Sequence, residues 1–262
     1  MWYNIAMSLK FCTLASGSKG NCCYVSDGTT DILIDLGISA TRVEKCLSVL
    51  GADPDKTRVL ITHSHSDHVG GLKVFCKKHP TAKIICQQES AAAIARQEGI
   101  TPLVARREFL VGAIRVSALP VSHDVPCFGY ILSDGSKKVA VVTDIGTITA
   151  EQLNALSGAD IVMLECNHDV EMLRANPRYT QMLKARILSS HGHLSNADCA
   201  AACAFLAGNG VKNFILAHLS EENNTPELAL NKVVASIADT GVMGVRVIAA
   251  RQDGMSGLFE IC

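Results

Sequence analysis

Four potential metal ligands fall within six residues of this chain. His63, His65, Asp67 and His68 follow the apolar run Val59, Leu60 and Ile61, and they precede Gly70 and Gly71. A hydrophobic strand must end near Thr62 and hand over to an irregular turn. In such a turn His63 and His65 point one way, while Asp67 and His68 reach a second point. One ion could scarcely take all four, so the crowding implies two metals. Imidazole and carboxylate donors suit zinc, manganese or iron. A lone histidine is ordinarily a core or surface residue, but that reading does not account for this pattern behind a buried strand.

Three further candidates also stand at the ends of strand-like runs. His123 follows Ala118 to Ser122, Asp144 follows Val139 to Thr143, and His218 follows Phe214 to Ala217. Ligands at strand ends are held by a sheet, which supplies the preorganisation a metal site needs. Together these residues complete two sites sharing one carboxylate.

The rest of the chain supplies the frame. Strand patterns cover 10–15, 22–26, 32–35, 58–62, 83–86, 114–121, 128–133, 139–143, 161–165, 214–217, 245–249 and 258–261. Helical patterns cover 39–50, 88–97, 149–155, 195–208 and 226–238, with Ser195 as an N-cap. Asp134 and Gly135 mark a hairpin, so some pairing is antiparallel. No repeat or linker interrupts the chain. The expectation is one mixed α/β domain over residues 1–262, with helices covering two packed sheets. Strand patterning begins at Leu9, which places the start at Met7 and makes residues 1–7 an extension.

Composition excludes several classes. With 48% hydrophobic residues the chain is not disordered, and a formal charge of −1 gives no general grip on polyanions or anionic membranes. Two divalent ions and one hydroxide would shift that charge to about +2, concentrated in one cleft. The 11 cysteines include no CxxC pair and read as small core residues of a reducing, cytoplasmic protein. No apolar run reaches membrane-spanning length. His79 falls at a helix end and reads as solvated, and the pairs Arg106, Arg107 and Lys137, Lys138 read as surface charge.

The pattern His63-x-His65-x-Asp67-His68, then His123, Asp144 and His218, resembles the metallo-β-lactamase-fold hydrolases. The resemblance implies an αββα sandwich with the site at one edge between the sheets. It implies that His63, His65 and His123 hold one metal and Asp67, His68 and His218 the other, with Asp144 bridging. The implied chemistry is a metal-bridging hydroxide attacking an ester or phosphodiester. Asp35 matches a position that supports the first metal loop from behind, though a polar strand terminus reads equally well. An aspartate rather than a cysteine at 144 resembles the glyoxalase II, RNase Z and nuclease-like branches, which disfavours a β-lactam substrate.

Three segments point toward phosphodiesters. Ser189 to Ser195 resembles a phosphate-binding element of tRNA 3′-processing enzymes, with His193 and Ser195 at the matching positions and Leu194 departing from it. Glu165, Asn167 and His168 follow a strand where the family places proton-transfer groups; a structural hydrogen bond is the competing role for His168. Ser16 and Ser18 lie in a polar turn that is either a phosphate loop or an ordinary hairpin loop. In combination, residues 14–21, 165–169, 192–196 and 217–226 resemble the YycJ/WalJ proteins, from about Leu9 to the C-terminus. That resemblance implies a 5′→3′ exonuclease on single-stranded DNA without a β-CASP insertion, gripping its substrate by loops or through a homodimer. His193 would bind or protonate a phosphate oxygen, with His168 as second candidate and Asp67 indispensable. A small-molecule (cyclic) phosphodiesterase and a non-catalytic metal-binding interaction module are the alternatives.

Overall fold

A computed structural model describes residues 8–261. The expected start at Met7 lies outside the described residues. In chain order the strands are β1 (Leu9–Ala15), β2 (Cys22–Ser26), β3 (Asp31–Ile34), β4 (Arg58–Leu60), β5 (Lys83–Gln87), β6 (Leu103–Ala105), β7 (Glu108–Val111), β8 (Ile114–Val121), β9 (Cys127–Ser133), β10 (Lys138–Val142), β11 (Ile161–Glu165), β12 (Asn213–Ala217), β13 (Arg246–Ala249) and β14 (Phe259–Ile261). The helices are α1 (Ala40–Leu50), α2 (Ser66–Val69), α3 (Leu72–Lys78), α4 (Gln88–Glu98), α5 (Ala150–Leu156), α6 (Val170–Ala175), α7 (Gln181–Ile187), α8 (Asn196–Gly208) and α9 (Pro226–Ala238).

The strands form two mixed sheets, ordered β14-β1-β2-β3-β4-β5-β6 and β13-β12-β11-β10-β9-β8-β7. Pairing is parallel from β3 to β6 and from β10 to β13, and antiparallel elsewhere. The parallel strands β11 and β12 are buried on both faces, which explains their unbroken apolar sequences. Phe11, Ile34 and Leu60 from the first sheet meet Tyr130, Ile161 and Ile215 from the second in a central core. Burying each such side chain contributes about 1.5–3 kcal/mol. The buried Tyr130 hydroxyl finds an acceptor across the sandwich, donating to the Ile61 carbonyl at 2.8 Å. On the outer faces, Val43, Leu47, Phe75 and Ile94 cover the first sheet, and Leu156, Cys199, Leu206 and Val233 the second. This is the expected αββα sandwich.

Several details differ from the sequence reading. The strands expected over 32–35 and 139–143 stop early, because Asp35 and Asp144 adopt the left-handed region (φ 64° and 55°) and turn the chain out of the sheet, and that over 58–62 ends at Leu60, with the Thr62 amide donating to the Asp35 carboxylate at 2.8 Å. Strands β6 and β7 and helices α2, α6 and α7 were not anticipated, and α3 only through the helix end expected at His79. Strand β6 is three residues long with Leu103 and Val104 exposed, so it carries no alternation to detect. Helices α6 and α7 span six and seven residues and depend on their N-caps, Asp169 and Thr180, rather than on an apolar period. His79 is not a solvated end. Its ring lies 3.1 Å from Glu44 and 3.3 Å from Asp55, tying α1 to the turn before β4.

Candidate metal centre

The carboxyl ends of β3, β4, β8, β10, β11 and β12 converge on one edge of the sandwich. They deliver Asp35, His63, His123, Asp144, Glu165 and His218 in turn. Asp35, Asp144 and His218 are the described non-glycine residues at positive φ (64°, 55° and 53°). Each sits just beyond a buried strand, where the left-handed turn aims its side chain back along the edge. Such conformations cost on the order of 1–3 kcal/mol each and persist where the surroundings enforce them. Gly37 packs so tightly on the ligand turn that a side-chain carbon there would lie 1.6 Å from the Asp67 carbonyl oxygen.

The structure brings the sequence candidates together in overlapping groups. One donor atom from each of His63, His65 and His123 lies within 4.8 Å of the others, and the same holds for Asp67, His68 and His218. His63, His68 and Asp144 form a third such group, so Asp144 stands between the two triads. Its Oδ2 lies 3.1 Å from His68 Nε2, and its Oδ1 lies 3.5 Å from His218 Nδ1 and 3.9 Å from His123 Nε2.

Four imidazoles are oriented through Nδ1. His63 donates to Thr62 Oγ1 (3.0 Å), which donates in turn to Asp35 (2.9 Å). His68 pairs with Asp35 at 2.7 Å, His123 with the Gly192 carbonyl at 3.3 Å, and His218 with Glu165 at 2.8 Å. These partners fix the tautomer that leaves Nε2 for the centre. The fully buried His63 Nε2 and the buried His218 Nε2 find no hydrogen-bond partner among the described residues. A buried ring nitrogen without a partner costs free energy that a metal ion would recover. The donor set, imidazoles with shared carboxylates, therefore fits two divalent cations.

Electrostatics agree. Burial would raise Asp67 and Asp144, but His218 and His68 hold both well below the usual carboxylate range. Burial works against protonated His68 and His218, but Asp144, with Asp35 beside His68 and Asp67 and Glu165 beside His218, raises both well above the ordinary imidazole value. Burial lowers His63 and His123. In metal-free protein His68 and His218 thus carry protons at neutral pH, and metal uptake must displace them. Calorimetric titration at pH 7 in two buffers of contrasting ionisation enthalpy should show about two protons released per chain; no release would contradict the arrangement. Because their folded pKa values are raised, their contribution to metal-free stability is complete below about pH 6.5 and is lost as pH rises through the folded values.

The remaining candidates separate. A cavity of about 250 Å³ opens over the ligands and is lined by Ser18, Asn167 and His193 among others. His193 donates from Nδ1 to Glu165 at 2.8 Å. Three expectations need correction. Ser195 Oγ is engaged as the N-cap of α8, donating to Asp198 at 2.6 Å and accepting from its amide, so it is not turned to the cavity. Ser16 Oγ, 2% exposed, accepts from the His218 amide at 2.9 Å and does not line the cavity. His168, 1% exposed, does not line the cavity, and its backbone forms an isolated bridge with Ser195; of the two candidate imidazoles only His193 lines it.

Sequence reasoning missed Asp124 and Arg186, and it read Glu165 only as a proton-transfer candidate after its strand. Glu165, fully buried, collects His193, His218 and the amides of Ile145 and Leu194. Asp124 places Oδ1 3.3 Å from both His65 Nε2 and His123 Nε2. Arg186 crosses from α7 to pair with the other oxygen of Asp124. The basic pairs flagged from sequence lie elsewhere: Arg107 pairs with Glu89, and Lys138 caps the carbonyls of Ala155 and Ser157.

Comparison with known proteins decides the family. The Beta-lactamase superfamily domain matches residues 30–219, which include all seven ligand candidates. The chain belongs to the β-lactamase superfamily. Among curated superfamily relatives, exodeoxyribonuclease YycJ of Bacillus anthracis is 35% identical over 246 residues, 90% of this chain and 91% of that one. Exodeoxyribonuclease WalJ of Streptococcus pneumoniae is 34% identical, covering 97% of this chain and 99% of the relative. The metallo-β-lactamase-fold protein YhfI of Bacillus subtilis superimposes with a TM-score of 0.72 at 16% identity, covering 97% and 99% of the two chains. The short form of human tRNase Z does so at 0.64 and 16%, covering 95% and 98%. These two show the shared fold. Like its YycJ and WalJ relatives, the chain is a metal-dependent hydrolase of the superfamily. No described helix is long and apolar enough to cross a membrane.

Proposed function

We propose that this chain is a dinuclear metal-dependent phosphodiesterase that removes nucleotides 5′→3′ from single-stranded DNA, with zinc or manganese as the ions. Support comes from two relatives at 34–35% identity that are named exodeoxyribonucleases. The observation that carries the reading is one cavity lined by His65 and His123 of the first triad, Asp67 and His218 of the second, and His193, whose Nδ1 is held by the buried Glu165. Divalent ions bound at His63, His65 and His123 and at Asp67, His68 and His218 would supply a nucleophile from water at neutral pH and neutralise charge developing on the phosphate.

The protein's own groups do the rest. Burial disfavours the charged form of His193, but the Glu165 carboxylate and its hydrogen bond raise its pKa and so favour the protonated imidazole. With Nδ1 committed to Glu165, Nε2 is left to donate to a leaving oxygen. Such a positioned acid contributes about 10²–10⁴-fold. His193→Ala should lower kcat by that factor while keeping the metal content of the wild type, and should remove the decline of rate with rising pH that deprotonation of His193 produces.

The decisive experiment strips the protein with chelator and restores Mn²⁺ or Zn²⁺. It then offers 5′-phosphorylated single-stranded DNA, duplex DNA, single-stranded RNA and cyclic nucleotides. Metal-dependent release of mononucleotides from single-stranded DNA supports the proposal. Turnover of cyclic nucleotides alone would make the chain a small-molecule phosphodiesterase, and no turnover with either metal would make it a binding module.

A further inference from the structure

The wall of the cavity facing the ligands is built by α7 and the turn before it. Tyr179, Leu183, Arg186 and Ile187 line it from that side. This wall is fixed in place. The nearly buried Lys184 donates to the Arg174 carbonyl at 2.6 Å, and Asn176 donates to Asn223 at 2.7 Å. Behind them Gly192 meets the end of α7 so closely that a side-chain carbon would lie 2.2 Å from the Ile187 carbonyl oxygen.

Its chemistry is mixed in a specific way. Tyr179 offers an aromatic ring, Leu183 and Ile187 an apolar surface, and Arg186 is the one Lys or Arg lining the cavity. The Arg186 side chain is 59% exposed and is held at the rim by Asp124. That carboxylate also faces His65 and His123, so its charge is already shared with the ligand wall. A phosphate presents the guanidinium with the same forked acceptor geometry as a carboxylate and with oxygens outside the ligand cluster. An aromatic face beside a phosphate-binding cation is the combination that takes single-stranded nucleotides without reading their sequence. The cavity between this wall and the candidate ligands has a volume of about 250 Å³.

We propose that the α7 wall is a one-nucleotide subsite, in which Tyr179 stacks a base and Arg186 leaves Asp124 for a phosphate next to the one being cleaved. This rests on the phosphodiester reading above. It gives the chain a grip on single strands from its own short helical segment, because a base can reach Tyr179 only when it is unpaired.

The test uses metal-loaded full-length protein and short 5′-phosphorylated oligonucleotides that end in either a normal or an abasic nucleotide. Wild type should prefer the base-bearing end by roughly tenfold in kcat/KM. Tyr179→Ala should reduce that preference to near unity, and Tyr179→Phe should restore it. Arg186→Gln should raise KM about tenfold with kcat nearly unchanged, and should flatten the dependence of log KM on log salt by about one. Unaltered metal content in each variant shows an intact centre. If wild type degrades the oligonucleotides while Tyr179→Ala keeps the base preference and Arg186→Gln keeps the salt slope, the subsite is refuted and the phosphodiester reading survives. If wild type degrades none of them, that reading fails first.

Discussion

An Asp144→Ala protein is expected to lose at least about 10³-fold in phosphodiester hydrolysis, because the carboxylate whose field serves both triads is gone. Asp144 is 2% exposed and stands within 4 Å of ring nitrogens from His68, His123 and His218. Removing it leaves several imidazoles facing one another around a buried space, so two cations would meet less negative charge and fewer donors. Metal analysis should fall from two ions per chain to one or fewer, alongside the rate. Backbone effects can be separated from this loss. At φ 55° alanine is strained where glycine is not, so Asp144→Gly should be more stable than Asp144→Ala by about 1 kcal/mol while being equally inactive. Two ions retained at wild-type affinity with full activity in either variant would remove Asp144 from the centre.

The ligands were legible because each follows an apolar strand, and apolar runs are what a sequence displays most clearly. His63, His123, Asp144 and His218 all stand one to three residues beyond a strand of the sandwich. Groups whose role depends on tertiary approach were not legible. Arg186 meets Asp124 across 62 residues, from a helix too short to announce itself. Serines misled for a physical reason: the hydroxyls of Ser16 and Ser195 satisfy backbone amides, and a serine that caps reads the same as one that binds phosphate. His168 misled similarly, since a polar residue after a strand can point into the site or away from it, and the direction is set by the backbone pairing with Ser195.

One consequence of this layout is that the candidate imidazoles are oriented from both sheets at once. Asp35 and Thr62, at the ends of the first sheet, orient His63 and His68. Glu165, on the second, orients His218 and His193. The candidate ligand His218 and the proposed proton donor His193 thus share one oxygen of a buried carboxylate.

That coupling makes Glu165→Gln the most informative single change. In the native protein Oε2 accepts from the amides of Ile145 (2.8 Å) and Leu194 (3.2 Å), and Oε1 accepts from His193 and His218, each at 2.8 Å. A glutamine has one acceptor oxygen and one amino group, so it cannot satisfy both pairs. The backbone donors cannot change, so the glutamine oxygen turns to them and its NH₂ faces the imidazoles. His218 must then accept at Nδ1, which moves its proton to Nε2 and removes the lone pair meant for the metal. His193 loses the carboxylate charge that raises its pKa, so its pKa falls and rate declines with rising pH from a lower value. Glutamine keeps the volume and the backbone contacts, so the fold should survive. Glu165→Ala leaves four buried donors unmatched and should cost about 3–5 kcal/mol. Metal binding to the second triad should weaken by at least about 10–100-fold in Glu165→Gln, measured by competition with a chelating dye. The first triad should bind as in wild type. Equal affinity at both sites together with an unshifted pH profile would show that Glu165 holds neither histidine in its working tautomer.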